Sequence, residues 1–204
     1  MGKNKKNKTK KKPHSEKDTR DKLFTNLTEL VESVEGRISW DDTCMLITVI
    51  LAGRVTCIYH KIGCVFLGRD KRLLAMGYNG PPTGFPHCID VGCAKDKGRS
   101  CIGAHAEQNV IVFASGPPRE TFKGSTLYIT SSPCNQCMKS LANLGVARIV
   151  FRKWYQRREI KEKGVVETPD KGFLQIAELA GIRVEKWSPK TGETKVILKG
   201  RKKE

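Results

Sequence analysis

No stretch of this 204-residue chain stays apolar for the ~20 residues that a bilayer-spanning helix needs, which excludes a transmembrane helix within it. Acidic residues are few, 21 Asp/Glu against 38 Lys/Arg, so the formal net charge is +17. Aromatics make up only 7% and hydrophobic residues 38%, below the globular average, which predicts that part of the chain is not packed. There is no leader with an apolar centre and a small-residue cleavage site, and Lys6 stands where N-myristoylation wants Ser or Thr. The expected setting is therefore a reducing one, cytoplasmic or, in a eukaryote, nuclear. There, eight cysteines read as metal ligands or buried thiols rather than disulfides.

The basicity sits at the ends. Residues 1–22 carry ten Lys/Arg against three Asp/Glu, and residues 186–204 seven against two, leaving 21 against 16 between them. This divides the chain into a disordered basic tail over 1–22, a domain over 23–187 and a basic C-terminal tail over 188–204. Such tails read as solvated ends; nucleic-acid contact and a nuclear address are the alternatives.

Leu23, Leu27, Leu30, Val31 and Val34 recur at helical spacing, and Gly36 stops the helix they predict. Ser39 with Asp41 and Asp42 looks like a helix start, for a helix running to about Cys57. Gly63–Leu67 and Arg72–Tyr78 read as a β-hairpin, followed by a loop from Asn79 to Gly103. Then come a helix over Ala106–Ala114, a strand over Leu127–Thr130, a helix over Pro133–Leu144, a strand over Ala147–Phe151, a helix over Asp170–Ala180 and a strand over Ile182–Lys186. Lys195–Leu198 is a candidate edge strand. Strands alternating with helices predict an α/β domain whose mainly parallel sheet is covered on both faces, with one antiparallel strand from the hairpin.

Two short stretches carry the chemistry, Cys101–Asn109 (CIGAHAEQN) and Ser131–Cys137 (SSPCNQC). One imidazole, His105, and two thiols three apart, Cys134 and Cys137, are three ligands for a tetrahedral zinc, with a fourth corner left for water. Glu107 is then the free carboxylate beside it. Residues three apart on a helix share a face, and a helix N-terminus favours thiolates. His-x-Glu points both side chains the same way only in a first turn, so the pairing implies that His105 opens a helix. Each half alone is weak, since C-x-x-C also serves redox pairs and structural zinc; the conjunction resembles the signature of zinc-dependent deaminases.

The resemblance is wider than that signature. From Ser39 to Trp187 the chain is similar to the deoxycytidylate (dCMP) deaminases. It carries Ser39-Trp40-Asp41, Arg54-Val55-Thr56-Cys57, Lys61-Ile62-Gly63-Cys64-Val65, Gly77-Tyr78-Asn79-Gly80, Gly84-Phe85-Pro86-His87-Cys88, His105-Ala106-Glu107-Gln108-Asn109, Leu127-Tyr128-Ile129-Thr130 and Ser132-Pro133-Cys134. The resemblance implies the cytidine-deaminase fold, a three-layer α/β/α sandwich with a mixed, mainly parallel five-stranded sheet. It implies hydrolysis of dCMP to dUMP and ammonia, with Glu107 moving the protons. Asn79 would bond the sugar's 3′-hydroxyl, Ala106 and Ser131 would meet the base through their backbones, and Tyr155 would pack near the substrate. Arg54 and Lys61 are candidate phosphate partners. It further implies a homo-oligomer, commonly a hexamer, with dCTP and dTTP as effectors. Some relatives carry a second, structural zinc; Cys88, Cys93 and Cys101, then Cys57, are the candidate ligands here, and free thiols are the alternative.

The chain departs from the family at Tyr59-His60-Lys61 and at the basic run Arg152-Lys153-Trp154-Tyr155-Gln156-Arg157-Arg158. Those departures leave open a cytidine nucleoside triphosphate, or cytosine or adenine in single-stranded DNA or tRNA, as substrate. A non-catalytic zinc module is the third reading, and the intact Glu107 speaks against it.

Overall fold

The structure, a computed structural model, describes residues 16–114, 118–161 and 164–200. It divides into two units, one ending at Ile38 and the other beginning at Ser39. The first unit holds helix α1 (Glu16–Glu32), whose Leu23, Phe24, Leu30 and Val31 are exposed. Of the expected disordered tail, residues 1–15 lie outside the described residues, and Glu16–Lys22 are helical instead. That stretch has no apolar period but consists mostly of residues a helix tolerates, so the periodicity marks the helix's apolar stripe and not its start.

The second unit opens with α2 (Trp40–Ala52), capped by Ser39, whose hydroxyl accepts from the Asp42 amide at 3.0 Å. The helix ends at Gly53, short of the expected Cys57, and Val55 is buried beyond it. Strands β1 (Gly63–Leu67) and β2 (Leu73–Tyr78) form the hairpin. Then follow α3 (Cys88–Val91), a 3-10 turn (Ala94–Lys97), α4 (Ala106–Phe113), α5 (Pro118–Phe122), β3 (Thr126–Ser131), α6 (Asn135–Asn143) and β4 (Arg148–Lys153). The chain closes with β5 (Gln156–Lys161), β6 (Gly164–Pro169), α7 (Phe173–Ala180), β7 (Arg183–Trp187) and β8 (Thr194–Leu198).

The central sheet has the order β2-β1-β3-β4-β7-β8. Strands β3, β4 and β7 pair in parallel, while β1 and β8 run against their neighbours. It therefore has six strands rather than the expected five. The sixth comes from the segment assigned to the C-terminal tail: β8 pairs with β7 through Val184↔Leu198 and Trp187↔Thr194. This is the edge strand expected over Lys195–Leu198; the basic residues on either side of it are what make the segment read as a tail. β5 and β6 form a separate antiparallel hairpin that the sequence reading did not include.

Period-two alternation supplies two cores from one sheet. Val65, Leu67, Tyr128 and Val150 face α2 with its Cys44 and Met45. Cys64, Phe66, Leu127, Ile129, Ile149, Phe151 and Val184 face the other way, onto Ala106 and Val110 of α4, Met138 and Leu141 of α6 and Phe173 and Ala177 of α7. The result is the expected α/β/α sandwich. The α2 layer sits tight on β1. A Cβ on Gly63 would stand 2.2 Å from the Thr48 carbonyl oxygen and 2.9 Å from the Ala52 nitrogen, both helix backbone. Gly63→Ala is expected to cost about 3 kcal/mol in urea unfolding; a midpoint unchanged from wild type would refute this reading of the contact.

Candidate metal and active site

Both chemical motifs fall at helix N-termini. His105 is the N-cap of α4, and its amide donates to the Gln108 side-chain oxygen at 3.0 Å. Ala106 and Glu107 are then the first two helical residues. Cys134 is the N-cap of α6, and its sulfur accepts from the Cys137 amide at 3.5 Å. β3 delivers the second motif, and the Ser132 amide donates to the Lys153 carbonyl at 2.8 Å, pinning the turn to β4.

His105 Nδ1 lies 3.5 Å from Cys134 Sγ and 3.4 Å from Cys137 Sγ. Zinc–ligand bonds of ~2.0–2.1 and ~2.3 Å at tetrahedral angles require about 3.6 Å between such atoms, so the donor set fits zinc in type and in spacing. Among the described residues, this is the group of three ligand atoms lying within 4.8 Å of one another. The thiols share a proton unequally. Bonds from Cys137 and His105 pull Cys134 down to about 4, while its bond to Cys134, together with burial, pushes Cys137 upward. Contact with Cys134 raises His105. Cys134 is thus ready to bind a cation as thiolate.

Glu107 is 3% exposed and hydrogen-bonds the Cys137 side chain, and burial pushes its carboxyl up to about 7. A group balanced near neutrality can both take and give a proton. Glu107 lines a cavity together with His105, Cys134, Ser132, Tyr155, Asn79, His60 and Lys95. The long loop that roofs it is closed at its base by a bridge between Gly80 and Ala104, with N···O distances of 2.8 and 3.2 Å.

The remaining candidates divide. Tyr155 reaches the cavity; its amide donates to Ser132 Oγ at 2.9 Å, and its ring lies 5.5 Å from that of His60. Asn79 also reaches it, but its side chain is committed to backbone, accepting from the Ile62 amide at 2.8 Å and donating to the His60 carbonyl at 3.0 Å. It holds the β1 entrance in place and has one donor and one lone pair to spare. Ala106 is fully buried beneath the cavity, and Ser132, not Ser131, lines it. Arg54 and Lys61 do not line it. Arg54 faces a separate groove with Phe85 and His87, and Lys61 lies in another with Arg152 and Lys153. Arg54 turns away because α2 ends at Gly53, before it. Cys57, Cys88 and Cys101 line the cavity, and the buried Cys88 thiol shares a hydrogen bond with the thiol of Cys93. Among the described residues, however, the four thiols do not form a second set with its ligand atoms all within 4.8 Å of one another.

Residues 38–153 match the family model of the cytidine and deoxycytidylate deaminase zinc-binding region. The chain belongs to this family. It is 33% identical over 169 residues to ComE operon protein 2 of Bacillus subtilis, covering 82% of this chain and 80% of that one. To the deoxycytidylate deaminase of Saccharomyces cerevisiae it is 27% identical over 194 residues, covering 88% of this chain but only 57% of the yeast protein. Among solved structures it resembles dCMP deaminase of cyanophage S-TIM5 in complex with dCMP and dUMP, at 25% identity and a TM-score of 0.58, over 74% of this chain and 99% of that one. In this family the His105–Cys134–Cys137 cluster is a zinc site rather than a redox pair.

Proposed function

We propose that the protein is a zinc-dependent deaminase that converts dCMP and water to dUMP and ammonia. The observation that carries the reading is a buried carboxyl, Glu107, placed beside a His-Cys-Cys ligand set in a cavity lined by Asn79 and Tyr155. The named dCMP deaminases among its relatives supply the substrate. His105, Cys134 and Cys137 would hold the zinc, which would supply a water acidified toward neutrality as the nucleophile for C4 of the cytosine ring. Glu107 takes the proton released by that water and places it on N3. It then carries the proton of the new C4 hydroxyl to the amino group, so that the C–N bond breaks, ammonia leaves and the C4 carbonyl of dUMP forms. Burial serves both steps, because the neutral and ionised forms of Glu107 are balanced in energy. Tyr155 and Ser132, whose amide and hydroxyl are bonded to each other, line the cavity with Asn79 and limit how the ring enters.

The exposed Leu46, Val49 and Ile50, one face of α2, support the homo-oligomer. Regulation by dCTP and dTTP belongs to the same reading and is tested by adding each to the assay.

Ammonia release is to be measured in parallel on dCMP, dCTP, deoxycytidine and a cytosine-containing oligonucleotide. The expected result is highest kcat/KM on dCMP with weak dependence on salt. Turnover of the oligonucleotide but not the monomers, falling steeply with salt, would replace this reading with a nucleic-acid deaminase.

A further inference from the structure

We propose that Lys95 sets the enzyme's preference for a 5′-phosphorylated substrate, by supplying the positive charge that meets the phosphate at the mouth of the cavity. This rests on the dCMP reading above. A phosphate needs a cation or several donors, and the candidates suggested by sequence, Arg54 and Lys61, open into other grooves. Among the cavity's lining residues Lys95 is the one lysine and there is no arginine; the other basic side chains there are the imidazoles of His60 and His105.

Its placement is built. Lys95 sits in the 3-10 turn Ala94–Lys97, entered from buried Cys93 and closed by Gly98 in the left-handed region at φ +69°. The neighbouring Asp96 accepts a bond from the Tyr59 hydroxyl, across 37 residues of chain, and Lys97 Nζ donates to the Val91 carbonyl at 3.0 Å. These bonds occupy Asp96, Lys97 and Tyr59 and leave Lys95 facing the cavity. Lys95 is exposed and Glu107 is buried, so the cavity has a wet cationic rim and a dry acid–base floor. A nucleotide with its ring at Glu107 extends its sugar past Asn79 and its phosphate to that rim. The charge at such a site discriminates between substrates chiefly through binding.

The test compares dCMP with deoxycytidine in wild type, Lys95→Ala and Lys95→Arg, with dUMP and deoxyuridine as competing products. Lys95→Ala is expected to lower kcat/KM for dCMP about tenfold or more, through KM, and to weaken inhibition by dUMP equally, since a charged hydrogen bond is lost. Deoxycytidine turnover and deoxyuridine inhibition should stay within about twofold, and Lys95→Arg should keep most of the dCMP preference. A Lys95→Ala enzyme with an unchanged ratio of dCMP to deoxycytidine, or of dUMP to deoxyuridine inhibition, overturns the inference and leaves the function standing. A wild type that does not deaminate dCMP overturns both.

Discussion

Glu107→Gln is expected to lower kcat on dCMP by about a thousandfold or more, while the protein keeps its zinc and its stability. General acid–base groups contribute about 10²–10⁴ in rate, and here one carboxyl serves both proton transfers, which places the loss toward the upper part of that range. Glutamine keeps the volume and a carbonyl oxygen but cannot carry a proton. Because burial already disfavours the ionised carboxyl, pushing it up to about 7, a neutral amide at that position should leave the melting temperature unchanged or slightly higher. Cys134→Ser gives the contrasting pattern, losing zinc and turnover together, because it removes the thiolate of the ligand set. A Glu107→Gln enzyme within tenfold of wild type would assign the proton transfers to another group.

The zinc ligands were legible because tetrahedral chemistry constrains both residue type and spacing, and because a helix start is the place where His-x-Glu can converge. The two cores were legible for a similar reason: Gly63–Leu67 and Leu127–Thr130 are continuous apolar runs, as strands buried on both faces must be. What could not be read depends on long-range placement. Lys95 lies in a stretch without hydrophobic period, and it is the Tyr59–Asp96 bond that brings its turn to the cavity. Asn79 precedes glycine and reads locally as a turn residue; its ties to His60 and Ile62 appear only once β1 and β2 are paired. The strand β8 was legible only as an edge candidate over Lys195–Leu198, because basic residues surround it and its partner β7 is fixed by the fold. The signal that could have found Lys95 was the loop itself, since a long unpatterned segment ahead of a ligand motif has to be held over something.

Arg148→Ala is expected to be the most destabilising single substitution outside the zinc site, at about 3–5 kcal/mol or roughly 10 °C in melting temperature for a chain of this size. Arg148 opens β4, and its guanidinium bridges two acids from distant segments. It bonds Asp41 of α2 through both terminal nitrogens, at 2.8 and 2.6 Å, and Glu185 of β7 through Nε at 2.9 Å and Nη2. The Tyr128 hydroxyl donates to the same Asp41 at 2.6 Å. Glu185 is fully buried beneath the sheet's α2 face. Removing the arginine leaves that carboxylate, among the described residues, with Arg183, whose side chain is half exposed, and leaves Asp41 with the tyrosine. Lysine at 148 should recover only part of the loss, because a point charge cannot bond two carboxylates in plane. The pH dependence follows from Asp41. Burial alone would raise its pKa, but the bonds from Arg148 and Tyr128 outweigh that and hold it below the ordinary carboxylate value. Its contribution is therefore present above the unfolded-state pKa of about 4 and lost as pH falls through the lower folded-state value. Wild type should lose stability on acidification across that window, and Arg148→Ala, lower throughout, should lose less there. Equal acid slopes for the two proteins in urea unfolding as pH falls from about 5 to about 2 would show that the network contributes packing rather than charge pairing.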